Sequence, residues 1–313
     1  MSERVLITGG AGYIGSVLTR ALLARGDAVT VIENFMYRQT SLLDCCADPN
    51  FAIIRGDVRD HALLAREVKR HDVIIPLAAI VGAPACDRAP DAATAINRDQ
   101  IAAIAKLTTP AQLILYPNTN SGYGVGDTGK FCTEDSPLRP VSLYGRVKVE
   151  AEKILQDSGR AITFRLATVF GASPRMRIDL LVNDFVYRAV VDRYVALFES
   201  HFKRNYIHVR DVAGAFVFAM DNRDRMRGQT YNVGLSDANI SKGELCERIR
   251  AAVPDFHVFE SEFGKDPDKR DYIVSNDKIE ALGYKPRHSL DDGIRELVKT
   301  YTMVRTAGTF DNL

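Results

Sequence analysis

Tyr144 and Lys148 stand four residues apart in the segment Tyr144-Gly145-Arg146-Val147-Lys148. On a helix that spacing puts both side chains on one face, about one turn apart. An ordinary tyrosine titrates near 10, and a neighbouring ammonium stabilises its phenolate, so the pair has the makings of a general base for a hydroxyl proton. Thr119, in Tyr116-Pro117-Asn118-Thr119-Asn120-Ser121, lies just past an apolar run that reads as a strand. Open parallel sheets place their ligands at such carboxyl ends, where a hydroxyl can relay a proton between a substrate and Tyr144. Taken alone, a Tyr-x-x-x-Lys is an ordinary helix-surface pair. A second motif gives it weight.

That motif is Gly9-Gly10-Ala11-Gly12-Tyr13-Ile14-Gly15, which satisfies Gly-x-Gly-x-x-Gly from Gly10 and Gly-x-x-Gly-x-x-Gly from Gly9. It follows an apolar run at 5–8 and opens a helical pattern that Gly26 ends. Amide N–H groups at a helix start, with the helix dipole behind them, favour a pyrophosphate, and glycine lets the backbone approach it. Eighteen residues after Gly15, at the end of the second run, Glu33 is placed to accept hydrogen bonds from the adenosine ribose hydroxyls. A carboxylate there repels a 2′-phosphate, so NAD is expected rather than NADP. Asp57, in Gly56-Asp57-Val58 after the third run, is expected at the adenine amino group. A positive nicotinamide ring beside Tyr144 would add to the stabilisation of its phenolate while hydride leaves the same carbon that loses its hydroxyl proton.

These residues need an alternating scaffold, and the sequence supplies one. Strands are expected at 5–8, 28–32, 51–54, 73–77, 113–116 and 162–169, with helices at 13–23, 61–69, 92–107 and 144–156. Such alternation implies right-handed crossovers and a doubly wound, Rossmann-like parallel sheet covered on both faces, in an α/β fold. Beyond Phe170 the rhythm loosens: a helix at 178–190, an extended run at 204–209 and an apolar helix at 212–220 that returns to the first sheet. Segments at 229–233, 241–252, 277–282 and 290–304 suggest a small mixed α/β lobe. The expected division is a dinucleotide domain over 1–172 with a return segment at 204–222, and a substrate lobe from 173–203 and 223–313. No internal repeat or low-complexity tract is visible.

Composition narrows the partners. The 313 residues carry 41 Lys plus Arg against 40 Asp plus Glu, a formal charge of +1 that offers no bulk attraction to nucleic acid. Apolar residues at 46% and charged residues at 26% are those of a globular protein. The apolar charge-free stretch between Asp72 and Asp87 is too short for a bilayer span and is broken by Pro76, Gly82 and Pro84, so no membrane is expected. The start at Met1 runs directly into an apolar strand, with no secretory leader pattern. Cys45, Cys46, Cys86, Cys132 and Cys246 form neither an even disulfide set nor a paired ligand spacing, and the six histidines are scattered. We read reduced thiols in a cytoplasmic protein, and no metal.

The order of the glycine loop, Glu33, Gly56-Asp57, Leu77-Ala78-Ala79, Asn97, Thr119 with Tyr123-Gly124, Tyr144 with Lys148, and Tyr206-Ile207-His208-Val209-Arg210-Asp211-Val212-Ala213 resembles the extended short-chain dehydrogenase/reductase family, particularly its nucleotide-sugar epimerases and dehydratases. The resemblance covers nearly the whole chain. It implies that Tyr144 is the base, that Lys148 orients the nicotinamide ribose and lowers the tyrosine pKa, and that Thr119 is the third catalytic member. It implies a cofactor site of Gly9, Gly12, Tyr13, Ile14, Gly15, Glu33, Asp57, Val58, Leu77, Ala78, Ala79, Tyr144 and Lys148. A homodimer joined by a four-helix bundle, built from the helices near 92–107 and 144–156, is a further implication.

The resemblance also bears on the reaction. The family's 4,6-dehydratases carry Asp and Glu after the threonine, where this chain has Asn120 and Ser121. Neither titrates near neutral pH, so elimination of water is disfavoured, and the cysteine that related double epimerases carry at the Ser121 place is missing. The leading expectation is an NAD-dependent nucleotide-sugar 4-epimerase, which oxidises C4, lets the keto sugar turn over, and returns hydride to the opposite face. The alternative is a nucleotide-sugar oxidoreductase with net turnover of NAD(H); a 4,6-dehydratase or a non-catalytic dinucleotide sensor ranks lower. For the nucleoside-diphosphate sugar, the second lobe offers guanidinium forks suited to phosphate at Arg175, Arg177, Arg204 and Arg270, with Lys203 beside them. Asn120 and Ser121 are expected at the sugar and Arg204 among the substrate contacts. By resemblance, Asn183 and Arg270 hold the pyrophosphate. The chain departs from many sugar epimerases at Ala167-Thr168-Val169-Phe170-Gly171, which lacks their asparagine.

Overall fold

The computed structural model describes residues 2–127, 129–260 and 270–304. Seven parallel strands form one sheet: β1 (Arg4–Thr8), β2 (Ala28–Glu33), β3 (Phe51–Arg55), β4 (Val73–Pro76), β5 (Leu113–Thr119), β6 (Ala161–Leu166) and β7 (Thr230–Val233). Their spatial order is β7-β6-β5-β4-β1-β2-β3, so the sequence reverses direction across β1 and β4. Ligands of open α/β sheets bind outside the strand ends at such a reversal. Both faces are apolar because both are covered. Leu113 and Leu115 of β5 pack into the cluster shared with helices α1 (Tyr13–Arg25) and α5 (Val209–Asp221). Ile114 and Tyr116, one residue out of phase, join the opposite cluster with α2 (His61–Val68), α3 (Gln100–Leu107) and α4 (Leu143–Ser158).

Several elements differ from their sequence expectation, each for a local reason. The expected strand at 162–169 is two strands, since the chain breaks at Ala167. Thr168–Phe170 leaves the large sheet and pairs in parallel with Lys203–His208, which in turn pairs antiparallel with Asn239–Ser241. The run at 229–233, grouped by sequence with the second lobe, is the edge strand β7 of the large sheet. Short connections hide such a return from a linear reading. The helix expected over 92–107 is interrupted by a widened turn at Ala95–Asp99, a feature frequent at functional sites. Thr119 is the last residue of β5 rather than a loop residue.

The smaller core is built from Phe170, Val182, Phe185, Tyr206, Leu245, Leu297 and their neighbours. Asp211 pins the C-terminal segment to the start of α5: its carboxylate accepts from the amides of Arg287 and His288 at 2.9 and 3.0 Å, and its carbonyl accepts from the Tyr284 hydroxyl at 2.6 Å. All five cysteines are free of disulfides, and no helix among the described residues is long and apolar enough to cross a membrane.

Candidate active site

The loop between β1 and α1 forms a cradle that side chains would fill. Gly9 sits at φ +71°, and a Cβ there would lie 2.6 Å from the Ala78 amide nitrogen. At Gly15 a Cβ would lie 2.6 Å from the Gly10 carbonyl oxygen, and at Gly12 it would meet the Gly9 carbonyl at 3.1 Å. Tyr13 and Ile14 open α1 with their side chains turned into the protein, so what they offer a dinucleotide is backbone. Glu33 ends β2 next to this loop. Its buried carboxylate accepts from the amides of Ala11, Asn34 and Phe35 at 3.3, 3.1 and 3.2 Å, and burial raises its pKa against those hydrogen bonds. Asp57 pairs with Arg59 at 2.8 Å, which holds its carboxyl down at about 2, and Val58 beside it is buried. Asn97, carried by the widened turn, binds the amide and carbonyl of Ile80 at 2.9 and 2.8 Å. Gln100 donates to the Ala78 carbonyl at 2.6 Å, so the 77–80 loop is fixed at the sheet edge. Amide cradle, carboxylate and ordered loop together fit an adenine dinucleotide.

The three residues expected to react lie at the end of β5 and on α4, which packs against it. Ser142 caps α4 by accepting from the Gly145 amide at 3.1 Å, which makes Tyr144 the second residue of that helix and puts Lys148 one turn on. The Lys148 ammonium donates to the Pro117 carbonyl at 2.5 Å and lies 4.0 Å from the centre of the Tyr116 ring. Burial pushes Lys148 down to about 7, against the pull of Glu152. Tyr144 is pushed up to about 12 by burial, with Arg177 and then Arg270 drawing it back and Cys86 adding to the rise. Guanidiniums of the second lobe thus act on the phenol in the chain itself, partners that the sequence reading did not name. Thr119 accepts from the Ser121 amide at 3.1 Å, and its hydroxyl donates to the Ser121 hydroxyl at 2.9 Å, which also accepts from Arg270. Asn120, 1% exposed, has both atoms of its amide without a partner.

Two expected substrate residues are committed elsewhere. Asn183 is fully buried; its carbonyl accepts from Gly171 N at 3.1 Å while its amino group donates to the Tyr13 hydroxyl at 3.2 Å and the Arg177 carbonyl at 2.8 Å. Both protons are used, so Asn183 ties the glycine loop to the 171–177 segment instead of presenting a donor to phosphate. Arg204 is buried, donates to the Arg270 carbonyl and faces the Tyr272 ring, which makes it a brace for Arg270. Arg270, by contrast, reaches the reactive face through Ser121.

Sequence reading missed the support beneath the trio. Glu152, four residues after Lys148, receives Arg165 at 2.6 and 3.1 Å and Asn118 at 2.5 Å; Arg165 continues to the Tyr123 hydroxyl at 3.0 Å, which donates to Asn232 at 2.6 Å. A signal was present, since Arg165 is the one charge in the otherwise uncharged strand Ala161–Leu166 and Glu152 shares the face of Lys148. Among the described residues His208, Asp211 and His288 also cluster. Their two rings stack at 4.5 Å and 21°, so the nitrogen lone pairs lie in near-parallel planes and do not converge on an ion. Asp211 is spent on backbone amides and the His288 ring at 3.0 Å.

The sequence model of the NAD dependent epimerase/dehydratase family matches residues 5–234. The low-salt glycan biosynthesis protein Agl12 of Haloferax volcanii is 31% identical over 95% of this chain and 98% of its own. UDP-glucuronate 4-epimerase 6 of Arabidopsis thaliana is 26% identical over 95% of this chain and 71% of its own. Among solved structures, the dTDP-glucose 4,6-dehydratase DesIV of Streptomyces venezuelae, with NAD and TYD bound, superimposes with a TM-score of 0.83 at 26% identity, over 96% of this chain and 98% of its own.

Proposed function

Since the chain belongs to the NAD-dependent epimerase/dehydratase family, we propose that it is a nucleotide-sugar 4-epimerase. The reading rests on the surroundings of Thr119 and Tyr144. Among the described residues, Arg177, Arg270 and Cys86 act on the Tyr144 phenol. The two places after Thr119 hold a buried Asn120 with its amide unpartnered and a Ser121 held by Thr119 and Arg270. Such a face transfers a hydroxyl proton and lacks the acid and base that elimination of water needs.

The glycine-loop amides and the start of α1 hold the cofactor pyrophosphate, Glu33 the adenosine ribose, Asp57 and Val58 the adenine, and Leu77, Ala78 and Ala79 line its path. Bound NAD supplies a hydride acceptor that can give the hydride back. Lys148 donates to the nicotinamide ribose. Tyr144 accepts the proton of the sugar C4 hydroxyl, with Thr119 as relay, and its phenolate is favoured by the facing guanidiniums as well as by Lys148. Asn120 and Ser121 take sugar hydroxyls, and Arg270 serves the phosphate or the sugar edge nearest to it. The helical layer with α3 and α4 is the surface through which a second copy docks, and the disulfide-free cysteines accord with a cytoplasmic setting.

A panel of nucleotide sugars, followed for both sugar stereochemistry and absorbance of reduced cofactor, tests the reading. Inversion at C4 without net NADH is expected. Stoichiometric NADH made or consumed would replace the proposal with a net oxidoreductase.

A further inference from the structure

A buried amine is normally driven to its neutral form, and Lys148 is 5% exposed. The role assigned to it above needs a cation. Among the described residues its ammonium meets the Pro117 carbonyl at 2.5 Å and the Tyr116 ring with its centre 4.0 Å away, and a third group, Glu152 one turn along α4, acts on it electrostatically. Glu152 is the weakest explanation for a retained charge, because Arg165 and Asn118 already occupy its carboxylate. Tyr144, one turn back on α4, favours no particular charge on Lys148 while it is neutral. Of the two that remain, the Pro117 carbonyl takes one N–H and can accept it from the neutral amine as well, so the ring is the group that specifically favours the cation. Tyr116 leaves β5 on the side that faces α4, its hydroxyl is buried without a partner, and burial holds the phenol well above its ordinary value, so a neutral π-face lies under the ammonium.

We propose that Tyr116 is a positioning residue: its ring is a cation–π seat that keeps Lys148 an ammonium and fixes where it points. The hydroxyl plays no part, and as an unsatisfied buried group it costs stability that phenylalanine would recover. The proposal rests on the reading that Lys148 holds the nicotinamide ribose.

The test is the NAD dissociation constant of the full chain, measured by calorimetry from about pH 6 to about pH 10 beside the alkaline limb of kcat. In the parent, affinity falls as Lys148 loses its proton. Tyr116→Phe is expected to keep both profiles within about twofold and to melt no lower than the parent. Tyr116→Leu is expected to weaken NAD severalfold at neutral pH and to move both midpoints down by about half to one pH unit. A ring-fluorinated phenylalanine at 116 keeps the shape, drains the π-face, and should behave as Leu does; it serves also if Tyr116→Leu fails to fold. Superimposable profiles for the parent and the fluorinated variant, or a Phe variant that behaves like Leu, overturn the seat while leaving the function intact. A parent that binds no NAD at any pH overturns the functional reading and the seat with it.

Discussion

The cofactor cradle and the reactive face meet at the same sheet edge but are made of different materials. Around the glycine loop the groups offered are backbone amides, placed by a positive φ at Gly9 and by close approach at Gly15, within a few residues of one another. At the proposed reactive face they are side chains from β5, α4 and the segments around 175–177 and 270, joined by contacts such as Arg270 to Ser121. A backbone site is specified locally and resists change because any added atom collides. A side-chain site depends on distant partners and is tuned by what buries it, as the opposite displacements of Lys148 and Tyr144 show.

If that contrast is right, the deepest damage comes from breaking the support under the reactive face. Glu152→Ala strips Arg165 of its partner in a buried setting and is expected to cost about 3–5 kcal/mol of stability, read from denaturant unfolding; a loss below about 1 kcal/mol would mean the pair is not structural. Next comes the chemistry. Tyr144→Phe should bind NAD as the parent does and lose on the order of a hundredfold or more in kcat, and near-normal turnover would remove Tyr144 from its role. On the cradle side, Gly9→Ala puts a methyl against Ala78 at a left-handed position. It should cost about 1–3 kcal/mol and weaken NAD while leaving the pH dependence of kcat unmoved; an altered pH profile would show that the two regions are not separable in this way.

The last effect is the sharpest on sign. Lys148 is held near 7 in the fold against an ordinary value of 10.5. Below pH 7 both folded and unfolded chains carry the proton and the fold bears the full cost of the buried charge. Between pH 7 and 10.5 the unfolded chain binds the proton more, so this group makes stability rise with pH. Without NAD, Lys148→Met should therefore melt several degrees higher than the parent at or below neutral pH, with the gap closing towards pH 10.5. A gap independent of pH would place the lysine in water.

Much of the fold was legible because its signals are local. Apolar runs followed by helical periodicity located five of the six expected strands, and the glycine spacing marked the dinucleotide loop. Those strands lie in the seven-stranded sheet. The break at Ala167 and the return of Thr230–Val233 were not legible, since each is decided by which distant strand offers a free edge, and apolar composition is the same for either choice. Among site residues, Tyr144, Lys148 and Thr119 were proposed from spacing and strand position, whereas Asn183 was expected at the pyrophosphate and has its amide spent on Gly171, Tyr13 and Arg177.

The sequence by itself determined the alternating scaffold and the glycine loop, and it named the groups proposed to move a proton, because these follow from residue type and short-range spacing. Only the tertiary structure decided which cations face Tyr144, what lies under Lys148 and where the carboxylate of Glu152 is spent. Electrostatic environment is a property of burial and of neighbours brought together from far along the chain, and neither is written in any one segment.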